Sequence, residues 1–374
     1  MRVLMINSVC GIRSTGRICT DIAAQLEKEG HTVKIAYGRE ATPEKYQKYA
    51  VRIGTDLGNK ISAIHTRLTD KHGFANKNAT KKFLKWAEAY NPDLVWLHNI
   101  HGYYINAQML FDWIKSRPDM QIKWTLHDCW PFTGHCTYFT AANCDKWKTH
   151  CENCPQTKCY PSSYLRDQCN KNFERKKVAF TGVPNMKLIT PSQWLADLVK
   201  QSFLREYPVE VCNNTIDTNV FKPTLSNFRE RFGLQGQKII LGVASVWDER
   251  KGLADYLKLA EMLDEGYTIV LVGLTDKQRK RLPSNMIGIG RTNSTKELAE
   301  IYTASDVFVN LTYEDNYPTV NLEAKACGTP IITYETGGSP ESAGEKAIVV
   351  PQGDLCQLKK AVLHISEKSV SCQV

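Results

Sequence analysis

The stretch Tyr313-Glu314-Asp315-Asn316-Tyr317-Pro318-Thr319-Val320-Asn321-Leu322-Glu323-Ala324 carries most of what this chain says about its fold. Its polar first half reads as a loop. Pro318 sits at or near the first position of a helix, where its missing N–H would lack a partner anyway. Val307–Leu311 before it is a buried strand, Gly328 stops the helix at Thr319–Cys327, and Pro330–Tyr334 begins another strand. Strand, loop, helix and strand in that order make a parallel α/β unit. The first N–H groups of the helix lack internal partners and point toward the strand ends, which is an anion site suited to a diphosphate. Val320, Ala324 and Cys327 form the predicted buried stripe, and Glu323 falls on or beside it. A carboxylate there is costly unless hydrogen-bonded. Two vicinal ribose hydroxyls would satisfy it, and so would a neighbouring loop that it caps.

The same alternation runs outward in both directions. Lys238–Val246 and Tyr267–Val272 read as strands, and Lys296–Ala304 as a helix. Gly252–Leu263 is a predicted helix with Leu253, Leu257 and Ala260 on one stripe. In the first half, Arg2–Asn7, Thr32–Tyr37, Leu94–His98, Trp124–Leu126, Leu188–Thr190 and Val209–Cys212 read as strands. Thr15-Gly16 opens a helix with Ile18, Ile22 and Leu26 on one face, closed by Gly30. Lys81–Tyr90 reads as an amphipathic helix capped by Thr80 and stopped by Pro92. A second start follows Phe221-Lys222-Pro223. The expected architecture is α/β, two Rossmann-like domains of residues 1–222 and 223–374 with parallel sheets facing a central cleft, where ligands usually bind. The stretch of about 129–175 breaks the rhythm and reads as a cysteine-rich insertion in the first domain.

At 374 residues, two domains of ordinary size are expected. Hydrophobic residues at 42% and charged residues at 23% exclude wholesale disorder. No apolar run approaches the ~20 residues of a membrane span. The first residues read directly into a strand, so no signal peptide is expected. The 13 cysteines, an odd number, are then expected as reduced thiols in a cytoplasmic protein. The net charge of +9 is uneven: +11 through Lys222 and −2 beyond it. A basic half fits nucleic acid, an anionic membrane surface, or a solvated face with no partner.

Several further segments carry chemistry. In Ser245-Val246-Trp247-Asp248-Glu249-Arg250-Lys251-Gly252, Lys251 opens a helix after a strand and can set an ammonium against phosphate. Arg250 is either a second cation for that anion or a surface residue. Ser14-Thr15-Gly16 opens the first helix. Trp124-Thr125-Leu126-His127-Asp128 places a histidine at a strand end, either a core histidine or a ligand-facing one. His98-Asn99-Ile100-His101 follows another strand end; with no acid beside it in sequence, it reads as cleft lining rather than a metal site. Gly288-Ile289-Gly290 lacks the third glycine and the context of a dinucleotide fingerprint, so a dehydrogenase is not expected.

Asp-x7-Glu on this helix, followed by Ala326-Cys327-Gly328-Thr329-Pro330-Ile331-Ile332 and Gly337-Gly338, resembles retaining glycosyltransferases of family 4, which have the two-domain GT-B fold. The likeness spans nearly the whole chain and is closest to bacterial enzymes of colanic-acid and capsular polysaccharide synthesis. It implies an N-terminal acceptor-binding domain and a C-terminal nucleotide-sugar-binding domain. It assigns Glu323 to the ribose and Asp315, where the family has Glu, to the donor sugar. It assigns Lys251 to the leaving diphosphate, His127 to the donor-sugar hydroxyls, and the turn at Gly16 to the diphosphate and acceptor. Gly290 and Arg291 become base-site candidates, and Arg250, Tyr317, Thr319 and Val320 lie in the donor-binding elements. The family's arginine falls at Ser245 or Val246 and is absent here. The implied reaction is hexosyl transfer from a UDP- or GDP-linked sugar to a saccharide or polyprenyl-diphosphate-linked acceptor. It keeps the anomeric configuration, and the amides of two helix starts plus Lys251 meet the leaving group without a metal.

Cys136-x7-Cys144-x6-Cys151-x2-Cys154 offers four thiolates for a structural zinc site, with Cys159 or Cys169 able to replace one; idle reduced thiols are the alternative. The basic half fits a lipid-linked acceptor at the inner membrane face. Lys71, Lys77, Lys81, Lys82, Lys85, Arg175, Lys176 and Lys177 are candidates for that contact, with Phe83, Leu84 and Trp86 either dipping into lipid or packing inward. Two rivals stay open, a nucleotide-sugar epimerase on the same scaffold and a non-catalytic nucleotide- or nucleic-acid-binding module. Nucleic acid is the weaker partner, since its binding gains nothing from a buried carboxylate.

Overall fold

Continuous aliphatic runs, rather than alternating ones, mark strands covered on both faces. Val3, Leu4, Met5 and Ile6 are all fully buried, as are Ile239, Ile240 and Leu241. In the computed structural model, which describes residues 1–371, these runs pair into two sheets in which every ladder is parallel. The first sheet contains β1 (Arg2–Asn7), β2 (Thr32–Tyr37), β3 (Ala50–Arg52), β4 (Leu94–Leu97), β5 (Gln121–Thr125), β6 (Met186–Thr190) and β7 (Val209–Val211). Their order is β3-β2-β1-β4-β5-β6-β7. The second contains β8 (Lys238–Val243), β9 (Tyr267–Val272), β10 (Met286–Ile289), β11 (Val307–Asn310), β12 (Ile331–Tyr334) and β13 (Ile348–Val350). Their order is β10-β9-β8-β11-β12-β13. Each order reverses direction once, between β1 and β4 and between β8 and β11, and the loops leaving the carboxyl ends of those pairs diverge into a crevice.

The two compact units are Met1–Asn213 and the chain from Asn214 onward, so residues 214–222 lie with the second sheet. Phe221 is the reason. It is buried in the second unit's core beside Phe228, with its ring 6.4 Å from that of Tyr302.

Several helices differ from the sequence reading in register. The first runs Arg13–Lys28 and buries Gly16, Cys19, Thr20 and Ala23, while Ile22 and Leu26 pack at the margin of that core. Small residues face the sheet because the helix lies close to it; a Cβ at Gly16 would sit 3.0 Å from Val9. The helix predicted at Lys81 begins at Lys77 after Asn76, and Thr80 lies inside it. The Thr80 hydroxyl donates to the Asn76 carbonyl and accepts from the Asn106 N–H, so it ties two loops rather than capping. The helix after β8 starts at Leu253 and buries Asp255, Tyr256, Leu259 and Ala260, with Leu253 and Leu257 at the edge.

Phe83 is buried, and Leu84 and Trp86 pack against the same core, Trp86 stacked on Tyr90 at 5.2 Å. These three residues therefore do not dip into lipid. Lys176 is fully buried and cannot meet a membrane either. Its ammonium donates to the carbonyls of Trp130 and Thr133 at 2.7 and 2.9 Å and lies 3.6 Å from the Trp130 ring, pinning the insertion onto the helix Cys169–Phe180. Among the described residues, no helix is long and apolar enough to cross a membrane.

Candidate functional site

The crevice of the second sheet is built by two loops that leave the adjacent strands β8 and β11. The β8 loop ends in a single 3-10 turn, Glu249–Lys251, whose start is capped by the Asp248 carboxylate accepting from the Lys251 N–H. Lys251 thus closes a turn after a loop rather than opening a helix directly after the strand. Gly252 follows at φ +70°, and a Cβ there would stand 2.3 Å from the Leu311 carbonyl, so only glycine lets the two loops touch.

That contact delivers the charged groups. Lys251 Nζ lies 2.5 Å from Asp315 Oδ2, each side chain 18% exposed. The Arg250 guanidinium donates to the Glu314 carbonyl at 2.9 Å, and the Arg250 carbonyl accepts from the Tyr313 N–H. Arg250 is therefore part of this loop pair rather than a bystander on the surface. Burial opposes the charge on Asp315, yet Lys251 and Arg250 together hold its carboxyl below the usual range. A third loop closes the site. The Gly338 N–H donates to the Asp315 carbonyl, and a Cβ at Gly337 (φ +54°) would meet that oxygen at 2.0 Å.

Pro318 is the residue just before the helix, which runs Thr319–Ala326. Tyr317 is half-buried, with its carbonyl accepting from Asn214. Thr319 and Val320 are also half-buried at the helix start, and the buried positions are Asn321, Leu322, Glu323 and Ala324. Ala324 and Cys327 lie in the second unit's core with Val320 packed against it, as the predicted stripe has it, and Glu323 is buried beside them. One Glu323 oxygen accepts from the Tyr302 hydroxyl at 3.1 Å.

Sequence reasoning missed the network beneath this helix. The Asn321 amide donates to the Ser339 carbonyl and to the Ser342 hydroxyl, while its oxygen accepts from Asn310, all of them buried. These bonds bind the helix to β11 and to the turn after β12. The signal was an asparagine beside Leu322 and Ala324 on the buried face of the helix. Asp255, another unforeseen buried carboxylate, accepts from the hydroxyls of Tyr313 and Tyr334 at 2.6 and 2.9 Å. Gly290 and Arg291 follow β10 at the sheet's outer edge, with Arg291 exposed.

In the first unit, the β1 loop turns on Gly11, whose N–H donates to the Gly16 carbonyl. The buried Asn7 amide donates to the Val9 carbonyl, and its oxygen accepts from Asn99 N–H across the β1/β4 reversal. His127 stacks on His98, with Nε2 3.0 Å from His98 Nδ1. Burial drives the His127 imidazole down to about 4 and that of His98 down as well, so the pair is neutral near pH 7. The acid not seen beside His101 is Asp128, 2.8 Å from its Nε2. Burial works against that carboxylate, but His101 and the Trp130 N–H keep it ionised. The rings of His72, Trp130 and Tyr160 pack around His101, and Tyr103 packs on His72.

The cysteines of the insertion converge, but as packing. Cys136, Cys144, Cys151, Cys154 and Cys169 line a cavity of about 20 Å³ with Phe139 and Trp147. The Cys136 thiol bonds to Cys154, and the Cys151 sulfur accepts the Gly134 N–H. Among the described residues, no group of three or more His, Cys, Asp or Glu side chains could hold a metal ion. The described geometry therefore does not support the expected four-sulfur zinc set.

Comparison with known proteins agrees with this geometry. Residues 15–220 match the model for Glycosyltransferase Family 4, and residues 226–373 match that for Glycosyl transferases group 1. The chain is similar to a putative colanic acid biosynthesis glycosyl transferase, WcaC of Escherichia coli K12, with 27% identity over 91% of this chain and 85% of that protein. Its fold is that of sucrose-phosphate synthase from Thermosynechococcus elongatus (TM-score 0.72, 16% identity, 98% of this chain and 90% of that one). It is also that of Anabaena HepE solved with UDP-glucose (TM-score 0.65, 15% identity, 99% and 90%). With two parallel Rossmann-like sheets of the GT-B class and more than half of its residues matched by one family model, the chain belongs to glycosyltransferase family 4.

Proposed function

We propose that this glycosyltransferase moves a hexosyl unit from a nucleoside-diphosphate sugar, UDP- or GDP-linked, to a saccharide or polyprenyl-diphosphate-linked acceptor in surface (capsular or colanic-acid-type) polysaccharide synthesis, with retention of configuration. The observation that carries this reading is the meeting of Lys251, Arg250 and Asp315 with the start of helix Thr319–Ala326 where β8 and β11 diverge. The UDP-glucose in HepE and the colanic-acid name of WcaC support it.

In this proposal, departure of the diphosphate is eased by two cations and the N–H groups at the start of helix Thr319–Ala326, all oriented before the donor arrives. Lys251 exchanges part of its contact with Asp315 for phosphate, and Asp315 then turns to the donor sugar. Glu323 meets the ribose, and Gly290 and Arg291 flank the base. The neutral imidazole of His127 suits a sugar hydroxyl, and the turn at Gly16 serves the diphosphate and acceptor. With two cations already present, no divalent metal is needed for the chemistry. The enzyme works in the cytoplasm or at the inner membrane face.

A thermal-shift screen of UDP-, GDP- and ADP-sugars tests the donor class through ligand-linked stabilisation. Nucleoside diphosphate released only when an acceptor is added supports transfer. Release of the free nucleotide sugar's epimer without acceptor supports the epimerase, and stabilisation by RNA but by no nucleotide sugar supports a binding module.

A further inference from the structure

The helix Asp56–Thr69 is turned opposite to its own amphipathicity. Leu57, Ile61, Ile64 and Leu68, spaced i, i+4, i+7 and i+11, share one stripe. That stripe faces outward, with the four residues 68, 59, 56 and 46% exposed. The face laid on the unit's core carries Ser62 and Thr66, both buried. An amphipathic helix packing only for its own domain would bury the leucines and isoleucines and expose the serine and threonine. Isolated apolar side chains on a surface need no explanation, but a contiguous strip rimmed by polar groups marks an interaction site. The strip is extended by Tyr164 and Leu165, 64 and 70% exposed, because the Tyr164 N–H donates to the Arg67 carbonyl at 2.8 Å and lays that loop along the helix end.

The charge around the strip selects its partner. Lys60 and Arg67 lie on one flank of the stripe, and Arg166 follows Leu165; all three are exposed. The neighbouring acids are already engaged within the chain. Asp56 pairs with Arg52, and the Asp167 carboxylate accepts from the N–H groups of Cys154 and Cys169. An apolar crest with a cationic rim matches the boundary between acyl chains and anionic headgroups. A second copy laid symmetrically on the same stripe would set rim cation against rim cation.

We propose that the outward face of helix Asp56–Thr69, together with Tyr164 and Leu165, docks this protein on an anionic bilayer. This surface belongs to the first unit and shares no residue with Lys251, Asp315 and Glu323 of the second, so it stands whether or not the donor reading holds. It replaces the face of Phe83, Leu84 and Trp86, which is packed inward.

The test is co-sedimentation of the full chain with phosphatidylcholine vesicles that contain or lack phosphatidylglycerol. The wild-type protein is expected in the pellet only with phosphatidylglycerol. Ile61→Asp/Ile64→Asp and Lys60→Glu/Arg67→Glu should each lower the bound fraction by roughly tenfold or more. Unfolding midpoints and UDP-sugar stabilisation of both variants should match wild type, because the altered side chains are solvent-exposed and outside the proposed donor site. A wild-type protein that stays in the supernatant overturns the proposal, as do variants that bind undiminished. A dimer in analytical ultracentrifugation that both variants dissociate, without vesicle binding, overturns it in favour of a second copy. Loss of UDP-sugar stabilisation in the wild-type protein alongside normal vesicle binding would count against the donor reading and leave this surface standing.

Discussion

Lys251 and Asp315 neutralise one another across two loops that meet only because Gly252 has no side chain. The pair fixes the position of the ammonium, and it makes each partner's removal a stability event as well as a loss of chemistry.

Lys251→Ala should therefore do two things. Transfer should fall by roughly a thousandfold or more, since the group assigned to the leaving diphosphate is gone. Stability should fall by about 1–3 kcal/mol, because a mostly buried carboxylate loses its partner. The double variant Lys251→Ala/Asp315→Asn should recover most of that stability and none of the activity. Urea unfolding and a nucleoside-diphosphate release assay separate the two effects, and activity in the double variant would show that Lys251 serves only the fold.

Glu323 and Tyr302 offer a cleaner separation. Tyr302→Phe removes one hydrogen bond to a buried carboxylate and should cost about 1 kcal/mol of stability, with the thermal shift from a UDP-sugar kept. Glu323→Ala should weaken that shift by an amount equivalent to about tenfold or more in affinity. Equal loss of the shift in both variants would place Glu323 in a structural role.

The φ of Gly337 and its closeness to Asp315 predict a positional effect. Gly337→Ala must both adopt a left-handed backbone and displace the Asp315 carbonyl, so turnover should drop by about tenfold or more. Gly236 has a similar φ of +76°, but a Cβ there would meet nothing within 4 Å, so Gly236→Ala should cost about 1 kcal/mol of stability and leave turnover unchanged.

The first unit should lose stability as acid is added, in a defined window. Burial lowers His127 to about 4, and lowers His72 and His98 as well. The unfolded chain takes up protons below about pH 6.5, while these folded imidazoles stay neutral. Stability is thus full above about pH 6.5 and declines as the pH falls toward 4, by up to about 1.4 kcal/mol per pH unit for each histidine. Urea midpoints across this range test it, and His127→Asn should flatten part of the slope. A profile identical to wild type would show that His127 titrates alike in both states.

Much of the second unit was legible because its information is local. The strand at Val307, the loop ending at Pro318 and the helix stopped by Gly328 are each specified by residues within a few positions of one another. Errors came where a local rule met a tertiary demand. Thr80 has the chemistry of a cap, but it spans two loops. The cysteine spacing resembles a ligand set, yet the cysteines line a cavity together with Phe139 and Trp147, and no metal-holding group is present among the described residues.

Periodicity binds Leu57, Ile61, Ile64 and Leu68 to one stripe once Asp56–Thr69 is helical, a helix that sequence reasoning missed. It could not establish which way that face looks, because that depends on what packs beneath, and here Ser62 and Thr66 do. The key pairings, Lys251 with Asp315 and Tyr302 with Glu323 in the second unit and His101 with Asp128 in the first, join residues 64, 21 and 27 positions apart. Only the folding of each sheet, which brings loops from distant parts of the chain to that sheet's own carboxyl edge, decides such contacts.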